Sequence, residues 1–420
     1  MRRIHLFLLI QIVFILGCGQ THSRELEINT KHLDHLYQEI EINKIQMAII
    51  HIYSNYPNYN YLDDEDEGTA CVDDAARASI FYLKNYFVTS NIENIDKNKK
   101  LLKFLIYMQS KNGYFYNFIF SDHSINKEFK TSIAEPNWWS WRALWALSES
   151  YTYYKSYDTK FAEEILASII SLINAVKKDI PTQYDYEDIA GIKIPNWLPY
   201  KHAADQASIL LLGLVNYYNE YKDETLLNYI KMLTNGLVEM QIRDKNSEYY
   251  GAFLSWQNTW HSWGNCQAYA LLKSFEILQD DKILNSVLLE LNDFYPKLIK
   301  IGYLNSFEIS CSDSTISIIN EKKYPQIAYN IRPMIYALLE ASDLTKEIKY
   351  KERAAKIAKW FLGKNPNSIK LYDKNTGIVF DGIESEKKVN KNSGAESTIE
   401  ALLSLLEINA RKLSLNEINH

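Results

Sequence analysis

The chain has 420 residues, 47% of them hydrophobic, and a formal net charge of −6. That length is ample for a sizeable buried core. The modest acidic balance is spread along the chain without a basic stripe, which excludes nucleic acid as a partner. Apart from Cys18 the cysteines are Cys71, Cys266 and Cys311. An odd number so far apart makes no disulfide framework, so they are expected to be small core residues, with room for one pair that the sequence does not assign.

The first segment reads as an export signal. Arg2 and Arg3 form a positive start, and Ile4 to Leu16 is apolar except for His5 and Gln11. The run ends at Gly17-Cys18 and is too short to span a bilayer. Ile15-Leu16-Gly17-Cys18 resembles a bacterial lipobox, with Leu16 larger than usual at its position. The expected order is a signal peptide over 1–17 and a tether over 18–30 lipidated at Cys18. A single domain over 31–412 and a polar tail over 413–420 follow. The mature protein is expected to be exported and held at a membrane only through its lipid.

From residue 31 onward, two kinds of helix alternate. Amphipathic stretches with one wet face run over His32 to Tyr53, Lys97 to Gln109, Lys160 to Lys178, Thr225 to Gln241, Lys282 to Ile299, and Lys346 to Leu362. Between them lie stretches that are apolar on nearly every side: Val72 to Tyr82, Trp138 to Ser148, Ala203 to Tyr218, Trp263 to Leu278, Tyr329 to Ala341, and Ala395 to Ile408. The second set recurs about every 60 to 67 residues, a period that marks a repeated unit. A helix apolar all round must be buried all round. Six buried helices inside six half-wet ones predict an all-α protein, an (α/α)6 barrel in a single domain. Short hairpins are expected at one rim: after Met108-Gln109, after Met240-Gln241, and over Lys370 to Ile383 around Asp373 to Gly377.

In such a barrel every inner helix is entered from the same end, so six helix starts converge on one mouth. Polar and aromatic residues gather there: Asp73, Asp74 and Arg77; Glu135, Trp138, Trp139 and Trp141; His202 and Asp205; Trp256, Trp260, His261 and Trp263; Arg332; and Glu396. Helix capping and the helix dipole account for any one of these carboxylates as well as catalysis does. They do not account for several carboxylates on buried helices beside tryptophans at one rim. Indole faces stack on sugar rings, and Trp138, Trp256 and Trp260 are the candidates to line a cleft. Trp141 and Trp145, one turn apart, read as core. Glycoside hydrolysis needs two carboxyl groups across a cleft. Asp73 or Asp74 with Glu396 is the first pair, because the first and sixth inner helices are neighbours in a ring. Glu135 and Asp205 stand in reserve, and His202, His261 and Arg332 are candidates to bind hydroxyls or a carboxylate.

The pieces Val72-Asp73-Asp74-Ala75-Ala76-Arg77-Ala78 and Asn392-Ser393-Gly394-Ala395-Glu396-Ser397-Thr398 are similar to paired motifs in uncharacterised bacterial members of the six-hairpin glycosidase superfamily. The resemblance covers the whole mature chain and implies an (α/α)6 barrel and carbohydrate metabolism, without a catalytic assignment. Trp360 to Pro366 also resembles a late segment of family 9 glycoside hydrolases, but the aromatic and glycine run that follows it there is absent. No catalytic role is carried over from that family.

Four activities are compatible with these residues. The first is an exported glycoside hydrolase acting on an oligosaccharide or polysaccharide. The second is a polysaccharide lyase or sugar epimerase, with His202, His261, Tyr200 and Arg332 as its parts. The third is a glycan-binding lipoprotein without turnover. The fourth, a terpene-cyclase relative, would use Asp63 to Glu67 as a metal site, but that run reads better as a solvated loop. No zinc spacing, phosphate loop or dinucleotide fingerprint is present, so no metal or cofactor is expected.

Overall fold

The computed structural model describes residues 28–180, 183–313, 315–413 and 415. The expected signal peptide, the lipidation site at Cys18 and most of the polar tail lie outside them. Among the described residues, no helix is long and apolar enough to cross a membrane.

Six largely buried helices follow one another in the chain: α2 (Val72–Thr89), α4 (Trp138–Tyr157), α6 (Ala204–Tyr221), α8 (Gln267–Leu278), α11 (Arg332–Thr345) and α13 (Ala395–Ala410). Each packs against the next, and α13 packs against α2. Outside them lie α3 (Glu93–Tyr107), α5 (Thr159–Asp179), α7 (Glu224–Glu239), the pair α9 (Asp281–Leu289) and α10 (Tyr295–Ile301), and α12 (Ile348–Ala358). A π-helical turn, Glu290–Phe294, joins α9 to α10. Nearly all the buried apolar side chains among the described residues belong to one contiguous cluster.

The first expected outer helix is corrected by the structure. His32 to Tyr53 is a six-residue helix, α1 (Lys31–Leu36), followed by a hairpin of β1 (Tyr37–Ile42) and β2 (Ile45–Ile50). Asn43 and Lys44, at φ 51° and 66°, make its two-residue turn, the left-handed pair that suits the twist of a hairpin. The β-branched Ile40, Ile42, Ile45, Ile49 and Ile50 favour strands. Met47 to Ile50 are buried, and β2 packs against α3 where a sixth outer helix was expected.

The connections are unequal at the two ends, which places the mouth. Leaving an inner helix, the chain turns within about three residues, through Ser90, Lys222, Gln279 or Lys346 in left-handed conformation, or directly through Asp158. Returning from an outer helix, it uses the long segments 108–137, 180–203, 240–266, 302–331 and 359–394. All six inner N-termini therefore open on the loop-rich end. The small strands cluster there too: Thr259–His261 pairs with Ser306–Ser312, and Ala70–Cys71 with Phe118–Ile119. Where hairpins were expected after α3, after α7 and near Asp373, the chain makes the single bridges Gln109–Phe115, Gln241–Phe253 and Tyr372–Val379.

Candidate active site

Capping sets the first turn of α2. Cys71 precedes it in extended backbone, and its sulfur accepts from the Asp74 N–H. This brings Asp73 and Asp74 to a helix N-terminus, where the dipole favours negative charge. Asp74 is buried and fully engaged: its Oδ1 accepts from Arg77 Nη1 at 2.7 Å, and its Oδ2 from the Cys71 thiol at 3.2 Å.

Arg77 is the hub. Besides Asp74, its Nη2 donates to Glu396 Oε2 at 2.8 Å, and its Nε lies 3.2 Å from Glu400 Oε1. Glu400 is wholly buried and is also paired with Arg332. Next to this group, Arg142 Nη1 lies 2.6 Å from Asp73 Oδ2, and its Nη2 donates to the Tyr329 hydroxyl at 2.7 Å. The Tyr329 ring is shared by three guanidiniums, those of Arg77, Arg142 and Arg332, at 4.8, 5.1 and 5.5 Å from its centroid. Three arginines, which hold their charge in proteins, thus face four carboxyls: Asp73, Asp74, Glu396 and Glu400. One carboxyl is in excess, and the cluster is relieved when a carboxyl keeps a proton. Burial pushes both the Asp74 and Glu396 carboxyls up, against the opposing pull of Arg77.

Two of the four carboxylates are reachable. The Glu396 side chain is 40% exposed and that of Asp73 20%. Glu396 is solvent-accessible yet surrounded by protein, the combination that raises a carboxyl in a cleft while leaving it open to a ligand.

The tryptophans divide. Trp138 is half-buried, with Arg142 over its ring at 5.0 Å. Gly264, at φ +66°, lets the loop pass close to it; a Cβ there would sit 2.9 Å from the Tyr329 hydroxyl and 3.0 Å from the Trp138 ring. Trp256 is 45% exposed and Trp263 36% exposed. Trp260 is placed in the core instead, stacked on Phe307 and edge-on to Phe294. Trp256 and Trp263 flank its strand, Thr259–His261, and reach the surface, so the aromatic run of the sequence splits between inside and outside.

The remaining candidates are held in place by neighbours. His261 Nε2 lies 2.9 Å from Asp205 Oδ2 and Nδ1 lies 2.8 Å from the Trp263 carbonyl, with Trp263 stacked on the imidazole at 3.8 Å. His202 sits between the Pro195 carbonyl and Glu187, at 2.9 and 3.0 Å. Glu135 accepts from the Tyr200 hydroxyl at 3.0 Å on the rim. Arg332 is buried under the cluster, so the structure places it beneath the mouth and not on its open side. Arg142, Tyr329 and Glu400 were not singled out by sequence. The available signal was an Arg or Glu one turn after Trp138 or Glu396 on an otherwise apolar helix.

Among the described residues, no group of His, Cys, Asp and Glu is arranged to hold a metal ion. Asp64 caps its own acidic loop, accepting from the Asp66 and Glu67 N–H groups at 2.9 Å. Cys71, Cys266 and Cys311 are free thiols.

A separate enclosed cavity lies beside the starts of α8 and α11. Trp260 Nε1, Asn265 Oδ1 and both side-chain polar atoms of Asn330 line it without hydrogen-bond partners, and Glu290 lines it beside the Tyr295 hydroxyl. Glu290, from the π turn, accepts the Phe253 N–H through its Oε1 at 3.1 Å, and burial pushes its carboxyl up to about 8. An acid raised by folding binds more protons in the folded chain, so its contribution to stability falls as pH rises from the ordinary carboxylate range through about 8. Glu290→Gln keeps the shape and removes the titration. We expect melting temperatures equal to the parent near pH 5 and higher than the parent at pH 9; equal melting at both would show that Glu290 does not titrate across this range.

No family model and no curated protein matches the chain. Among solved structures it is similar to a sugar epimerase from a ruminal bacterium (TM-score 0.58, 14% identity, 87% of this chain and 92% of that one). It is also similar to the cellobiose 2-epimerase of Spirochaeta thermophila (TM-score 0.59, 12% identity, 86% and 90%). A third is a family 76 glycoside hydrolase from a bovine Bacteroides thetaiotaomicron strain (TM-score 0.54, 14% identity, 87% and 72%). At such identities the likeness shows the fold alone: the chain shares a largely α-helical fold with carbohydrate-processing enzymes.

Proposed function

We propose that the protein is an exported carbohydrate-active enzyme of the glycoside-hydrolase type, with Glu396 as acid and Asp73 as base or nucleophile. The observation that carries this is Glu396: an accessible carboxyl raised by burial, on the helix next to the one bearing the ion-paired Asp73. Two carboxyls in unlike surroundings at one opening are what hydrolysis of a glycosidic bond requires. This reading takes the inner helices as a closed (α/α)6 barrel, supported by the packing of α13 on α2 and the Arg77–Glu396 bond. Export and lipidation at Cys18 rest on residues 1–18 of the sequence.

The epimerase-like neighbours favour a second reading, transfer of a proton on a sugar. That chemistry needs a base with a free lone pair. His261 and His202 each meet an acceptor at both nitrogens, and burial with Glu135 pushes the Tyr200 phenol up, away from a basic role. Hydrolysis uses Glu396 and Asp73, the two carboxyls of the cluster that solvent reaches.

The test is incubation of the full chain with a panel of neutral oligosaccharides, reading new reducing ends against interconversion of the intact sugar. New reducing ends support the proposal; interconversion, or binding without turnover, overturns it. On the substrate found, Trp256→Ala is expected to raise KM about ten-fold with kcat nearly unchanged, as for loss of a stacking face that binds ground and transition states alike.

A further inference from the structure

The inner helices also converge at their other ends. Lys84 and Glu407 lie eleven residues beyond Asp73 and Glu396, about 16 Å along their helices. There the side chains of all six inner helices line a second recess of about 230 Å³. The buried Arg332, paired with Glu400, lies over the recess's Trp145 and Tyr336 rings at 5.7 and 5.0 Å, and neither Asp73 nor Glu396 lines the recess.

Every cation of the lining is already paired, and Glu276 and Asp343 just outside it add partners to Lys273 at 2.6 Å and to Arg411 at 2.8 Å. Lys84, Lys273 and Arg411 face Glu149, Glu340 and Glu407. Lys84 lies 2.9 Å from Glu407 and 3.8 Å from Glu149, Lys273 lies 3.2 Å from Glu340, and Arg411 pairs with Glu407. Glu149 also accepts from Asn216 Nδ2 at 2.8 Å and from Trp145 Nε1 at 3.3 Å. These bonds hold long side chains in fixed positions, so donors and acceptors are preorganised around the space. Tyr269 and Tyr336, edge to face at 5.3 Å, complete the wall with Trp145.

We infer that this recess is a second binding site, for a neutral, hydroxyl-rich ring the size of one monosaccharide. The volume is below the roughly 300–1,000 Å³ of pockets for drug-sized ligands, which limits the occupant to a single small ring. A charged ligand would leave one member of an existing ion pair uncompensated in a partly buried setting. A neutral polyol can donate to the carboxylates and accept from the ammonium groups with every pair intact, while aromatic walls cover its apolar faces.

The experiment is calorimetry on the full chain with D-glucose, D-mannose and D-galactose, and with D-glucuronate and D-glucosamine as charged counterparts. Saturable binding of at least one neutral hexose is expected, unchanged in Glu396→Gln and Trp256→Ala. Asn216→Trp, which fills the recess, is expected to abolish it. Glu149→Gln, nearly isosteric and tolerant of folding, is expected to weaken it about ten-fold, as for one hydrogen bond to a charged group. Three results overturn the proposal: no neutral hexose binds, a charged sugar binds tighter than all neutral ones, or binding is lost in the mouth variants and kept in Asn216→Trp. Because the mouth variants are read separately, failure here is distinguishable from failure of the hydrolase reading.

Discussion

Glu396→Gln is expected to reduce turnover by at least about a thousand-fold while leaving substrate affinity within a few-fold of the parent. Glutamine keeps the volume and an acceptor for the Arg77 Nη2 donor, which now sits at 2.8 Å from Glu396 Oε2. It cannot give a proton to a leaving oxygen. Binding and stability should therefore survive, and only the chemical step should fail. A substrate with a leaving group that needs no protonation gives a sharper test: the variant should regain much of the lost rate on an activated aryl glycoside. If Glu396→Gln turns over normally on both substrates, Glu396 is not the acid. The parent's activity should also fall on the alkaline side as Glu396, raised by its burial, loses its proton.

Arg77→Met is expected to destabilise the fold by about 3–5 kcal/mol, the range for removing one partner from a buried ionic cluster. The guanidinium holds Asp74, Glu396 and Glu400 together and ties α2 to α13. Without it, the Asp74 carboxyl remains buried with only the Cys71 thiol as a partner. Burial already raises Asp74 and Arg77 opposes that rise, so the variant should hold this proton more tightly than the parent. A carboxyl raised by folding loses its contribution as pH climbs past the unfolded value. The deficit should therefore be smaller near pH 4 than at pH 8, in urea melts at both. A pH-independent loss would point to lost packing of the arginine stem, and a loss under 1 kcal/mol would remove Arg77 from the centre of this account.

The two variants separate roles that the sequence ran together. Asp73 and Asp74 are adjacent letters, yet one faces Arg142 at the edge of the opening and the other is sealed against Arg77. A 100° step between neighbouring helical residues decides this, together with the position of the next helix. Trp260 and Trp263 are parted by tertiary contacts, the first in a strand and packed on Phe307, the second beyond that strand and stacked on the imidazole of His261 at the rim. The first hairpin escaped because Leu33, Leu36, Ile40, Met47 and Ile50 also satisfy a helical period. Only the left-handed Asn43-Lys44 turn and the run of β-branched residues argue the other way.

The sequence by itself determined the alternation of buried and half-wet helices, and with it the end of the bundle where polar residues gather. Burial follows from the apolar surface of each segment, and the entry end follows from chain direction, so neither needs tertiary coordinates. Which carboxyl is free was decided only when six helices met. Glu396 owes its proton affinity to the protein packed around it and its position to an arginine 319 residues away. Glu400, one turn below, is silenced by Arg332 from a third helix. Charge and accessibility at a site are sums over neighbours that the chain brings together last.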